Sequence, residues 1–190
     1  MFEVELKAII KDFEGIKSII ESYDLKSKEE LIYESIYFDS NDELTNSSRE
    51  LRFRNIKDRQ STTIKNLITY KDPPFDVFSR SKPEIEIEID DLEGSIALFQ
   101  KLGYEIILRF EKECTNYRLE FKGLNLLATL AYVQELDQYY IEVESPTKNE
   151  KEFEQRFTII KLFLSEIGIK DEDLTNEYYT EAILKFRSNK

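Results

Sequence analysis

The sequence contains no histidine and a single cysteine, Cys114. Without an imidazole, zinc sites of the histidine type and the Ser-His-Asp and Cys-His modes of nucleophilic catalysis are excluded. Any chemistry must come from carboxylates, Lys, Arg, Tyr or a bound metal. One thiol cannot close an intrachain disulfide and suits a reducing compartment, so the expected location is the cytoplasm. No apolar run approaches the roughly 18 residues that a membrane helix needs. The N-terminus opens on a charged alternating segment instead of a basic region followed by an apolar one, so neither export nor membrane spanning is expected. Positive charge is also in deficit. With 27 Lys and Arg against 39 Asp and Glu, the formal net charge is -12. That excludes general binding to nucleic acid or acidic membrane, which requires basic surface. Local basic patches still act, because charges beyond about 8 Å are screened at physiological salt.

The 190 residues, 41% hydrophobic, suffice for one domain with a substantial core, and the expectation is a single domain over residues 1 to 190. At 35%, charged residues exceed the roughly 25% of an average soluble domain, and their placement carries the information. Residues 2 to 9 alternate Phe2, Val4, Leu6 and Ala8 with Glu3, Glu5 and Lys7, which is the period of a strand with one apolar face. Asp12 caps a helix carrying Phe13, Ile16, Ile19, Ile20 and Tyr23. Strands are expected at 31 to 39, 50 to 57, 61 to 71 and 83 to 89, then at 104 to 112, 116 to 123, 126 to 133 and 139 to 145. A helix from Asp90 or Asp91 to Gly103 divides them, and two helices end the chain. The strands follow too closely for crossover helices, so antiparallel pairing is the default. The segment KDPPFDVFSRSKP has the turn chemistry of a mobile flap.

Parity places Glu3, Glu5 and Lys7 on one face of their strand, and likewise Arg52 with Arg54, Lys65 with Lys71, Glu84 with Glu86, and Glu142 with Glu144. The opposite faces, with Val4 and Leu6, Leu51 and Phe53, or Ile85, Ile87 and Ile89, are apolar enough to sit against helices. For one strand alone a polar face turned to water is ordinary. Here acidic pairs recur on three strands and basic pairs on others, in a chain with enough strands to curl into a barrel. Turned inward, they make a polar tunnel in which carboxylates hold Mg²⁺ or Mn²⁺ and Lys and Arg hold phosphate oxygens. Tyr139, Tyr140, Tyr178 and Tyr179 read as core and rim aromatics, and Cys114 as a half-buried strand residue.

Glu3, Glu5 and Lys7 form an E-x-E-x-K signature, followed in order by YFDS at 37 to 40, LRFR at 51 to 54, ITYK at 68 to 71, KPEIE at 82 to 86, EKECTNYRL at 111 to 119 and IEVE at 141 to 144. This series resembles the CYTH superfamily, which groups class IV adenylyl cyclases with thiamine and inorganic triphosphatases, and leans towards the cyclase branch. The resemblance implies an α+β fold: an antiparallel eight-stranded barrel, the triphosphate tunnel, open at both ends, with helices packed outside. It implies metal on Glu3, Glu5, Glu84, Glu86, Glu142 and Glu144, with Mg²⁺ or Mn²⁺ as the cofactor. Phosphates would lie on Arg52, Arg54, Lys65, Lys112 and Arg118, with Lys7 and Lys71 in catalytic roles.

Three positions depart from the family pattern. Lys82 stands where an Arg is usual, Cys114 where an Arg is expected, and Ala131 where an Asp is expected, with Arg109 or Arg118 as substitutes for the lost charge. The expected partner is ATP or another triphosphate, with no nucleic acid and no membrane; a homodimer is compatible with the sequence. The expected reaction is cyclisation of ATP to cyclic AMP and pyrophosphate. The alternatives are hydrolysis of an inorganic, nucleoside or thiamine triphosphate, or a binding module that no longer turns over.

Overall fold

In the computed structural model of the chain, residues 2–60, 62–74 and 82–189 are described, with the side chains of Phe2, Glu3 and Glu150 outside that description. Eight strands are present: β1 (Phe2–Ile9), β2 (Leu25–Asp39), β3 (Glu50–Asp58), β4 (Thr63–Lys71), β5 (Lys82–Ile89), β6 (Glu105–Phe121), β7 (Leu124–Val133) and β8 (Gln138–Thr147). All pair antiparallel, in the order β1-β5-β4-β3-β2-β6-β7-β8. Five α-helices accompany them: α1 (Phe13–Glu21), α2 (Glu43–Asn46), α3 (Leu92–Lys101), α4 (Phe153–Glu166) and α5 (Tyr179–Ser188).

The sheet curls until its ends meet. β1 pairs with β8 over its whole length, and among the described residues it meets β5 at Phe2↔Pro83 and Glu3↔Lys82. The expected barrel is thus realised as a strongly curled eight-stranded antiparallel sheet. Further along β1, its edge away from β8 is met by the chain after α4. Ala8 bridges Leu174, and the Thr175 amide donates to the Lys7 carbonyl at 2.9 Å. Gly168 makes this return possible. At φ +93 it ends α4 with its own amide on the Ser165 carbonyl and that of Ile169 on the Leu164 carbonyl, a left-handed cap that a residue with Cβ adopts only under strain.

Three apolar clusters hold these layers. Val4, Leu6, Leu126, Leu130, Ile141 and Val143 on the outer sheet face pack with Ile16 and Ile20 of α1 and Ile160, Phe163 and Leu164 of α4. Ile36, Phe38, Leu51 and Phe53 pack with Leu44 of α2 and Ile96 of α3. The third cluster lies inside the curl. Tyr33, Tyr37, Phe110, Cys114, Ala131, Val133 and Tyr140 meet Tyr179 and Ile183 of α5 there. Side chains of this cluster therefore occupy part of the interior. One expectation changes: Ile85 and Ile87, on the outer face of β5, are 60% and 55% exposed, with no helix over them among the described residues.

Two element boundaries differ from expectation for one reason. The strands expected at 104 to 112 and 116 to 123 are the single strand β6, and β2 begins at Leu25, not near residue 31. The polar stretches KSKEE and KECTN look like interruptions in sequence, yet they pair with each other from Ser27↔Arg118 to Leu31↔Cys114. Pairing satisfies the backbone where local propensity is weak. The expected flap falls largely on 75 to 81, outside the described residues.

The YFDS step has a structural role. Asp39 is 2% exposed, and its carboxylate accepts from the amides of Ser40, Leu44 and Thr45 at 2.7 to 2.9 Å and from the Thr45 hydroxyl at 2.5 Å. Burial alone would raise its pKa; the bonds from Thr45, Leu44 and Ser40 outweigh burial and hold it below the ordinary carboxylate range. With the folded pKa depressed, the stabilisation is complete above the unfolded value and is lost as pH falls through the folded one. Asp39→Ala is expected to cost about 2–4 kcal/mol in a urea melt at neutral pH, because several buried donors lose their acceptor. The gap to the parent should narrow as the melts are repeated at acid pH.

Candidate active site

Because inward and outward residues alternate, the curl collects one parity of every strand around a cavity of about 420 Å³. From the expected set, Arg52, Arg54, Lys65, Lys71, Lys112 and Arg118 line it, together with Glu5, Glu84, Glu86, Glu142 and Glu144. The Glu3 side chain lies outside the described residues. The charges are unevenly distributed around the ring. The contiguous strands β8, β1 and β5 bring Glu142, Glu144, Glu5, Glu84 and Glu86 with Lys82, while β3 and β4 bring Arg52, Arg54, Lys65 and Lys71 with Glu50; Lys112 and Arg118 stand on β6 and Glu29 on β2.

Local contacts in this state balance the charges. Lys112 Nζ donates to Glu142 Oε2 at 2.7 Å, Lys71 lies 3.2 Å from Glu84, and Arg52 lies 3.8 Å from Glu50. The Thr69 hydroxyl donates to Glu86 at 3.3 Å. Glu5 stands directly opposite Glu144 in the β1–β8 register, which sets two carboxylates side by side on the wall. Among the described residues no group of three or more Asp, Glu or Cys could hold a metal by themselves. Mg²⁺ ordinarily takes one or two carboxylates and completes its shell with water and phosphate oxygens. The donor set therefore fits a cation that arrives with a phosphate ligand, not a closed protein cage.

The basic wall includes donors with no internal acceptor. Arg52 and Arg54 each bury an Nε that has no hydrogen-bond partner among the described residues. Burial of Arg52 opposes its charge, but Tyr37, Glu50 and Glu84 outweigh that and hold its pKa above the usual guanidinium value. Arg54 lies over the Tyr33 ring, 4.7 Å from its centroid. Tyr33 is fixed in turn by Asn116, whose amide donates to its hydroxyl at 2.7 Å and accepts from Thr129 at 3.0 Å. Burial pushes the Tyr33 phenol up to about 12, so it remains neutral. Asn116 and Thr129 are wall residues that motif reading misses, because neutral polar side chains on strands carry no distinctive pattern.

Lys7 is placed differently from its neighbours. It is buried, its ammonium donates to the Glu177 carbonyl, and it sits 4.2 Å from the Tyr179 ring centroid and 5.3 Å from that of Tyr140. Lys112 lies 4.5 Å from the Tyr179 ring, and Lys82 lies 4.3 Å from that of Tyr178. The C-terminal segment thus faces the lysines of the cavity, a juxtaposition across some 170 positions of sequence that no local pattern signals.

The two uncharged departures, Cys114 and Ala131, prove to be register partners on β6 and β7, both buried in the apolar cluster inside the curl. An apolar pair at these facing positions leaves no buried charge to be met there. Burial raises the Cys114 thiol to about 11. The native protein is accordingly expected to resist a thiol reagent such as dithiobisnitrobenzoate and to titrate one thiol only after addition of denaturant.

The CYTH domain family model matches residues 1–179. The chain belongs to the CYTH family. It is similar to a Methanocaldococcus jannaschii protein named "Putative adenylate cyclase MJ0240", 25% identical over 182 residues, which are 95% of this chain and 98% of that one. A protein of solved structure from Pyrococcus horikoshii superposes with a TM-score of 0.80 at 26% identity, covering 96% of this chain and 98% of the other. A Hippeastrum structure, named a "Putative adenylyl cyclase" that "reveals a dominant triphophatase activity", shares the fold with a TM-score of 0.65 at 20% identity, covering 99% and 96% of the two chains. CYTH members include adenylyl cyclases and triphosphatases. Among the described residues, no helix is long and apolar enough to cross a membrane.

Proposed function

We propose that this CYTH protein is a metal-dependent enzyme that binds a triphosphate in the cavity and converts ATP to cyclic AMP and pyrophosphate. The observation that carries the reading is the composition of the ring: a mostly basic arc with the buried, unpartnered Nε donors of Arg52 and Arg54 beside a mostly acidic arc in which Glu5 opposes Glu144. Arg52, Arg54, Lys71 and Lys112 would bind and orient the phosphate chain, each as a charge-assisted donor. Glu5 and Glu144, with Glu3, would hold Mg²⁺ or Mn²⁺, which supplies charge neutralisation on the phosphates. Cyclisation requires the ribose 3′-oxygen to attack the α-phosphorus as pyrophosphate leaves, and the wall contributes by fixing the chain in line. The cyclase name of the Methanocaldococcus relative favours this reaction. The triphosphatase activity named for the Hippeastrum protein favours a second reading, attack by water at the terminal phosphorus.

Product identification tests both. Incubation with ATP and, separately, with tripolyphosphate, in Mg²⁺ or Mn²⁺ and in EDTA, is expected to yield cyclic AMP and pyrophosphate from ATP only with metal. Orthophosphate release without cyclic AMP would replace cyclisation by hydrolysis. Failure to bind either compound would remove the triphosphate reading altogether.

A further inference from the structure

Within this wall sits a side chain that no motif marks. Ser35 of β2 lines the cavity and is 1% exposed, and its Oγ has no hydrogen-bond partner among the described residues. A buried hydroxyl without a partner costs stability, so its presence calls for an explanation. Its neighbours supply one. In the β2–β3 register Ser35 stands directly opposite Arg54, and Tyr37, two positions on along the same face, stands opposite Arg52. Residues opposite one another on adjacent strands reach common ground, with Cβ atoms about 4.5–5.5 Å apart. Three unpartnered donors, Ser35 Oγ, Arg52 Nε and Arg54 Nε, therefore lie on two neighbouring strands of one wall. On its other flank Ser35 stands opposite Phe110, so the apolar side of the cavity offers its hydroxyl no acceptor.

We propose that Ser35 is a substrate-binding residue, its hydroxyl donating to an oxygen of the phosphate chain held by Arg52 and Arg54. This rests on the triphosphate reading and adds to it a neutral donor at the boundary between the charged wall and the apolar cluster. A phosphate oxygen is the ligand chemistry that satisfies all three groups together, since two are cationic donors that require an acceptor and the hydroxyl can donate to the same kind of oxygen.

Tripolyphosphate binding to the full chain, followed by calorimetry in Mg²⁺, tests this with Ser35→Ala, which removes the hydroxyl, and Ser35→Cys, which keeps the shape with a weak donor. Both variants are expected to bind about tenfold or more weakly, as for loss of one hydrogen bond to a charged group. Their melting temperatures without ligand should match the parent, with Ser35→Ala equal or higher because an unsatisfied hydroxyl is gone. If the parent binds and both variants bind equally well, the assignment of Ser35 falls while the triphosphate reading stands. Weaker binding accompanied by a lower melting temperature in both variants would mark a packing role and equally overturn it. A parent that does not bind tripolyphosphate removes the reading and the assignment together.

Discussion

Arg54→Met is expected to weaken tripolyphosphate binding by about ten- to a hundredfold, the range for hydrogen bonds to a charged group, without lowering the melting temperature. Methionine preserves most of the apolar stem and removes the guanidinium. What the fold loses is the contact with Tyr33 at 4.7 Å, which contributes about 0.5–2 kcal/mol. Against that, a buried Nε without a partner disappears, which returns a similar amount. Arg54→Lys should recover only part of the affinity, because an ammonium keeps the charge but not the planar fork that meets two phosphate oxygens. Calorimetric titration alongside a thermal melt of each variant checks both halves. A variant that binds like the parent would remove Arg54 from the phosphate wall.

Tyr179→Ala is expected to do the reverse, costing about 3–5 kcal/mol of stability, as for other large aromatic truncations in a core. Tyr179 is 5% exposed and packs against Phe110 and Tyr140 with ring centroids 5.9 and 5.1 Å away. Its ring also faces the ammonium groups of Lys7 and Lys112, so truncation removes the nearer aromatic face from each and leaves the more distant rings of Tyr140 and Tyr33. For a chain of this length the melting temperature should fall by roughly 10 °C. A drop of only a degree or two would mean that α5 rests on the sheet without packing into its interior. Tyr179→Phe, which keeps the ring, should stay close to the parent.

These two variants separate what was legible in the sequence from what was not. Strand parity was legible, because a period of two leaves little freedom once Val4 and Leu6 or Leu51 and Phe53 must reach a core, and Glu5, Arg54 and Glu144 then necessarily turn the other way. The gathering of Arg54, Lys71 and Glu142 round one cavity follows from that parity plus curl. The packing of α5 into the interior was not legible. Tyr179 and Ile183 reach the interior through the return of the chain along β1, and a backbone bridge between Ala8 and Leu174 leaves no trace in residue type. Ser35 was equally silent, since a serine on a strand is ordinary until its burial and its place opposite Arg54 are known. The lengths of β2 and β6 were obscured by polar runs that only their mutual pairing explains.

The ladder between β2 and β6, which runs from Leu25↔Leu119 to Asp39↔Glu105, also bears on how the molecule breathes. Local opening is slowest where the most paired backbone must be released together. Amide protons midway along this ladder, near Ser35, should therefore be among the last to trade with deuterated solvent.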